Sequence, residues 1–365
     1  MANRIRVLLV APSLDILGGQ AVQATRLLEN LRREPDVAID FQPINPRFPA
    51  PLKWVKKIPC LRTLLTFVLY CTQLTTRAWR YDILHVFSAG LSSYTLWTIP
   101  ALLIGRLYRK NFILNYRDGQ VEQHLREWRS ALPTVRLADV IISPSEYVVK
   151  VFGEFGVRAQ AIFNVIDLNG FRYRQRSKLR PVFMTNRILE PLYNVGCVLR
   201  AFAIVQQRYP DASLTVAHDG VCRPELERLA RELNLMNTRF VGSVPHGEIP
   251  ELYDAADVYL TSPNFDCLPG SLLECYATGL PIIATRTGGI PYILEDGGTG
   301  LLVECDDHQA MAACALRLLE DAELVERLTK RGFRELEKYH WERGAIREKW
   351  LAVYRTTMDA RAETH

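Results

Sequence analysis

Short runs in which apolar, mostly β-branched residues fill consecutive positions recur along the chain, separated by polar stretches and helical spacings. In the first half they fall at 6–11, 82–87, 112–116 and 139–143; in the second at 181–185, 213–217, 239–242, 258–261 and 281–285, with helical patterns such as 224–233 and 270–278 between them. A strand that is apolar at every position is buried on both faces, which predicts parallel sheets covered by helices. The pattern therefore predicts two doubly wound, Rossmann-like α/β domains. Between them, residues 168–180 are polar, basic and without period, so the boundary is expected near residue 178. This divides the chain into 1–178, 179–340 and a final helical segment, 341–365, whose large aromatics suit packing near the domain junction. Open parallel sheets bind ligands at the carboxyl ends of their strands, so two such domains are expected to face a deep cleft.

Composition supports a globular chain throughout: of 365 residues, 48% are hydrophobic and 23% charged, enough for two separate cores. Eight cysteines stand without a C-x-x-C pair or histidines at zinc spacing, which predicts neither a disulfide nor a metal framework. The start runs directly into a strand pattern with no signal peptide, so a reducing, cytoplasmic compartment is expected. The net charge of +5 is unevenly placed, since residues 41–117 hold eleven Lys or Arg and one acid, Asp82. Within that stretch Lys53, Trp54, Lys56, Lys57 and Arg62 precede an apolar run through Leu64, Phe67 and Val68. Lysines beside an aromatic and an apolar helix suit either a peripheral contact with an anionic membrane or a buried helix with a solvated basic entrance. The uncharged run 63–76 is shorter than the ~20 residues a spanning helix needs. Nothing points to nucleic acid.

The densest candidate chemistry lies at 264–285. A strand ends near Pro263, a loop carries Asp266, and Leu268, Pro269, Gly270 and Ser271 stand where the next helix begins, with Glu274 about one turn on. Backbone N–H groups at a helix start meet phosphates or sugar hydroxyls well, and the next strand leads into Gly288-Gly289, where backbone can approach a diphosphate closely. Two acids eight positions apart are common by chance, and an acid in a first helical turn ordinarily compensates the helix dipole. The order of strand, acid, Pro-Gly, acid, strand and Gly-Gly is the more specific signal.

That order resembles a family 4 retaining glycosyltransferase of the GT-B fold, one of the glycosyl transferases of group 1. The family's Glu, seven residues, Glu appears here as Asp266 and Glu274, and Tyr292 stands where an acid is often found after the Gly-Gly turn. The resemblance implies that Glu274 holds the donor ribose hydroxyls, Asp266 faces the donor sugar, and Gly288 and Gly289 lie against the diphosphate. It extends to Gly18-Gly19 after the first strand, implied to approach a phosphate, and to Arg187, implied to stabilise the leaving diphosphate. The family's lysine about five residues after that arginine is missing, and Tyr193 and Asn194 stand there as neutral substitutes. His218 falls in a loop where the family has Gly-x-Gly, which would narrow the phosphate pocket. On the acceptor side, Arg117 and Asp118 either contact a substrate or cap a loop, and His85 either lines the cleft or is a satisfied core histidine.

The implied reaction moves a hexosyl group, with retained anomeric configuration, from a nucleotide sugar to a hydroxyl acceptor in polysaccharide, glycolipid or other glycoconjugate synthesis. No cofactor is expected and, without an Asp-x-Asp motif, no metal. Two alternatives stay open: an epimerase or inverting transferase on the same architecture, and a non-catalytic sugar-nucleotide-binding partner.

Overall fold

The computed structural model describes residues 4–13, 19–48, 50, 54–55, 58–176, 178–336 and 343–362. Gly18, Lys53, Lys56 and Lys57 lie outside these. The chain divides into two compact units, Met1–Val165 with Glu342–His365, and Ile166–Trp341.

In the first unit β1 (Ile5–Ala11), α1 (Gly19–Leu31), β2 (Val37–Pro43), α2 (Pro59–Ala78) and β3 (Ile83–Ser88) are followed by α3 (Leu91–Ser93), which runs through a π-helical turn at Tyr94–Thr98 into α4 (Ile99–Leu107). β4 (Asn111–Tyr116), α5 (Val121–Glu127), α6 (Ala131–Val135), β5 (Val140–Ser143), α7 (Glu146–Glu154) and β6 (Gln160–Ala161) complete its sheet, which is parallel in the order β2-β1-β3-β4-β5-β6. β3 and β4 are buried at every residue, as their continuous apolar runs require.

The second unit contains β7 (Val182–Thr185), α8 (Val195–Arg208), β8 (Ser213–Ala217), α9 (Arg223–Glu232), β9 (Thr238–Gly242), α10 (Ile249–Ala255), β10 (Val258–Thr261), α11 (Gly270–Thr278), β11 (Ile282–Thr285), β12 (Leu301–Val303), α12 (His308–Glu320) and α13 (Ala322–Glu335). Its sheet is parallel in the order β12-β11-β10-β7-β8-β9. The strand order reverses direction between β7 and β10, so the loops leaving those two strands part and leave a crevice at the sheet's carboxyl edge.

The boundary falls at residue 165 rather than near 178, because the basic segment is tied into the second unit. Arg174 Nη2 donates to Asp257 Oδ1 at 2.9 Å and Arg180 Nε to Asp257 Oδ2 at 2.8 Å. Arg176 is buried and donates to the carbonyls of Tyr253 and Ala256 at 3.0 and 3.1 Å. What reads as a polar linker is a set of arginines closing over one buried carboxylate.

The last helix, α14 (Arg343–Ala362), belongs to the first unit, where Ile346, Trp350, Leu351, Val353 and Tyr354 join the core under β1 and β3. His85 is what they close on. It is fully buried, its Nδ1 lies 2.8 Å from Tyr354 Oη, and its ring packs 4.6 Å from Trp350. Arg117 Nη1 donates to Asn115 Oδ1 at 3.3 Å, which turns the Asn115 amide nitrogen toward His85 Nε2 at 3.1 Å. Nε2 is thereby the acceptor and Nδ1 carries the proton. His85 is a satisfied core histidine and lines no cleft.

Candidate functional site

The loops after β7 and β10 bring Arg187 and Asp266 together. Both are half-buried, and Arg187 Nη2 forms an ion pair with Asp266 Oδ2. The guanidinium also lies over the Tyr193 ring, 4.4 Å from its centre, and Nη1 donates to Ser271 Oγ at 3.4 Å. Its Nε is buried with no hydrogen-bond partner. Burial disfavours the cation, but the charge of Asp266, with smaller contributions from Tyr259, Tyr193 and Tyr253, outweighs this and raises the Arg187 pKa above its ordinary value. Arg187 is therefore a fixed, permanent cation. Glu190, three residues on, makes no ion pair with it among the described residues.

Pro269 precedes α11 in extended conformation, and Gly270 opens the helix with no atom within 4 Å of where a Cβ would stand. Ser271 is buried and Glu274 half-buried on this helix. Glu274 Oε2 accepts a hydrogen bond of 2.7 Å from Tyr253 Oη. Asn186 Nδ2 donates to Tyr253 Oη at 2.9 Å, and Tyr259 Oη donates to Asn186 Oδ1 at 2.7 Å. Burial, and then the Glu274 charge, push the Tyr253 phenol well above its ordinary pKa, so it stays protonated and donates.

The loop after β11 closes the other side. Gly289 N donates to the Asp266 carbonyl at 2.8 Å, and Gly288 has φ of +52°, with its Cβ position 2.2 Å from that same oxygen. Only glycine fits there. Leu268 and Cys267 are half-buried in the intervening loop, and Cys267 N donates to Asp266 Oδ1 at 2.7 Å. Asn194 stands at φ of +42° ahead of α8 and donates to Asn264 Oδ1 and Asp306 Oδ1 at 3.3 and 3.2 Å. His218 also has positive φ, +91°, and its Nδ1 accepts from Asp219 N at 3.0 Å.

Of the residues singled out in the sequence, Arg187, Tyr193, Asp266, Ser271, Glu274, Gly288 and Gly289 thus gather at the carboxyl edge of the second sheet. In the first unit Gly19 begins α1 with open space at its Cβ position. Asp118 caps a loop, its two oxygens accepting from Gly90 N at 2.8 Å and Gln120 N at 2.9 Å. Arg117 lies over the Phe87 ring at 4.5 Å and donates to Asn164 Oδ1. The sequence reading passed over Asn186, Tyr253 and Tyr259. Asn186 directly precedes Arg187 after a strand, which was its available signal, whereas the two tyrosines are indistinguishable from core aromatics without the fold.

Residues 172–335 match the family model described as glycosyl transferases group 1. The chain is 32% identical over 176 residues to the D-inositol 3-phosphate glycosyltransferase of Corynebacterium urealyticum, covering 46% of this chain and 41% of that protein. It is 26% identical over 280 residues to the sulfoquinovosyl transferase of Arabidopsis thaliana, covering 71% and 54% respectively. The matched part therefore spans about half the length, or less, of these curated relatives. Among solved structures, Anabaena HepE in complex with UDP and glucose superposes with a TM-score of 0.72 at 15% identity over 96% of this chain and 99% of that one. Sucrose-phosphate synthase from Thermosynechococcus elongatus gives 0.74 at 19% over 98% and 100%. These likenesses establish the GT-B fold. The match to the glycosyl transferases group 1 model lies within the second unit.

Proposed function

We propose that the protein is a retaining, metal-independent glycosyltransferase that moves a hexosyl group from a nucleoside diphosphate sugar to a hydroxyl acceptor. The observation that carries this reading is the meeting of Arg187, Asp266, Glu274 and the Gly288-Gly289 turn where the second sheet reverses its strand order. Relatives named for glycosyl transfer and a structural neighbour solved with UDP-glucose support the donor class. In this reading the acceptor oxygen bonds to the anomeric carbon as the bond to the diphosphate breaks on the same face, and the acceptor proton passes to a departing diphosphate oxygen. Arg187 and the backbone N–H of Gly270 stabilise the developing charge, while Glu274 holds the ribose and Asp266 the sugar. With no lysine beside it, Arg187 is the cation of the clamp, and Tyr193 braces it from one face.

The test begins with thermal stabilisation by UDP-, GDP- and ADP-sugars, since a donor that binds the folded protein raises its melting temperature. With the donor found, Glu274→Ala and Arg187→Ala are each expected to lower turnover by at least about a hundredfold with the fold intact. Wild-type-like donor consumption by both variants would refute the site. The anomeric configuration of the product separates retention from inversion, and tight nucleotide binding without transfer or hydrolysis would favour a binding partner.

The cysteine spacing, which has no C-x-x-C pair, favours a reducing, cytoplasmic setting. There, the first unit docks on anionic membrane. On α2, Leu61, Leu64 and Val68 are exposed, as are Ile58 and Trp54 ahead of it in the chain, while Tyr70, Leu74 and Ala78 are buried on its other face. An exposed apolar stripe on a helix that carries Arg62 and follows three lysines in the sequence complements an anionic interface. No helix among the described residues is long and apolar enough to cross a membrane. Vesicles containing a third phosphatidylserine are expected to co-sediment the protein at low salt, and the Lys53, Lys56, Lys57→Ser triple variant to lose this. Binding insensitive to both salt and charge removal would count against docking.

A further inference from the structure

A line of hydrogen-bonded side chains runs behind the candidate site to its anion, starting at the buried Tyr259. From there each group donates to the next: Tyr259 Oη to Asn186 Oδ1 at 2.7 Å, Asn186 Nδ2 to Tyr253 Oη at 2.9 Å, and Tyr253 Oη to Glu274 Oε2 at 2.7 Å. Tyr253 and Tyr259 are both fully buried, and their rings stack 5.9 Å apart at 14°. Neither ring can swing away without opening a void in the core.

The order of donors is fixed by its end: a carboxylate only accepts, so the chain that reaches Glu274 runs toward it. Turning the Asn186 amide over would set its nitrogen against the Tyr259 hydroxyl and its oxygen against Tyr253. Tyr253 would then give its proton to Asn186 and leave two acceptors facing each other at Glu274. The fixed amide is therefore what commits the Tyr253 proton to the carboxylate, and with it the plane in which that carboxylate lies.

Resting on the donor-site reading above, we infer that Tyr253, with Asn186 and Tyr259 behind it, is a positioning residue that holds the Glu274 carboxylate in the orientation needed to receive the two ribose hydroxyls of the donor. Tyr253 touches no substrate; it acts through Glu274. A carboxylate held by a buried phenol is pre-organised, and the rotamer freedom it would otherwise lose on binding is already spent in folding.

The consequence is specific to the ribose. Calorimetric titration with UDP, GDP and ADP identifies the diphosphate that binds best, and its 2′,3′-dideoxy analogue serves as the second probe. Tyr253→Phe removes one oxygen and keeps the ring; it is expected to weaken the ribonucleoside diphosphate about tenfold and leave the dideoxy analogue within about twofold of wild type. Tyr259→Phe, one step further back, is expected to show the same ligand dependence with a smaller loss, and it carries the test alone if Tyr253→Phe lowers the melting temperature below the working range. Equal losses for both ligands would mean that the phenol only supports the fold, and no loss for either would mean that Glu274 needs no support; both overturn the inference. The donor-site reading fails separately, and the inference with it, if wild type binds none of the three diphosphates or if Glu274→Ala binds the best of them as wild type does.

Discussion

At the scale of single residues, Gly288 and Gly270 at the candidate site answer to different constraints. Gly288 holds φ of +52° with the Asp266 carbonyl oxygen 2.2 Å from its Cβ position, so its side-chain vacancy is filled by protein. Gly270 has nothing within 4 Å, so the space before it belongs to solvent or to a ligand. Gly288→Ala is expected to cost about 1–3 kcal/mol of stability, because the loop must move off Asp266 and lose the Gly289 bond to its carbonyl. Gly270→Ala, at a helix start where alanine is well tolerated, is expected to leave the melting temperature within about 2 °C of wild type and to weaken nucleoside diphosphate binding. Melting curves and titration on the two variants read both effects. A Gly270→Ala protein that binds as wild type would remove that backbone from the phosphate site.

Elements built on continuous apolar runs were legible from the sequence, and those whose pattern is set by position in the sheet were not. β1, β3, β4, β5 and β7 to β11 lie within a residue or two of the runs that predicted them. β2, an edge strand of its sheet, escaped because its burial alternates and Asp40 and Gln42 interrupt its apolar residues. β12 edges the second sheet and is three residues long, too short to stand out between turns. The acid pair and its glycines could be read because they lie within one stretch of about 25 residues. The Arg187–Asp266 pair could not, since it depends on β7 lying beside β10 and joins residues 79 positions apart. The same holds for α14, whose anchor His85 lies 269 residues from Tyr354. The sequence offered two readings for that histidine, and only the helix that covers it decides between them.

At the scale of the whole molecule, the two units carry their buried charges in different forms and should respond differently to acid. The first unit buries His85 and His124 neutral: burial, aided by the Arg117 charge, lowers His85 from 6.5 to about 3, and burial lowers His124 to about 4 against the opposing charge of Asp118. The unfolded chain takes up protons at both below pH 6.5 while the folded unit does not, so their stabilising contribution is complete above that pH and declines as pH falls toward the folded values. Each group removes about 1.4 kcal/mol per pH unit over that window. In the second unit the buried carboxylate of Asp257 carries the charge: burial raises its pKa, but hydrogen bonds and charge from Arg180 and Arg174 outweigh that and hold it below 3.8. Its contribution is present above 3.8 and is lost only below it. Between pH 6.5 and 4.5 the first unit is thus expected to weaken while the second keeps its strength. Tryptophan emission reports mainly on the first unit, which holds Trp54, Trp79, Trp97, Trp128 and Trp350, and thiol labelling of buried Cys197 and Cys275 reports on the second. The denaturant midpoint by emission should fall with pH across this window ahead of the midpoint by labelling, and His124→Asn should flatten the fall. Midpoints that move together in the wild type, or an unchanged slope in the variant, would show that the buried histidines do not set the acid response.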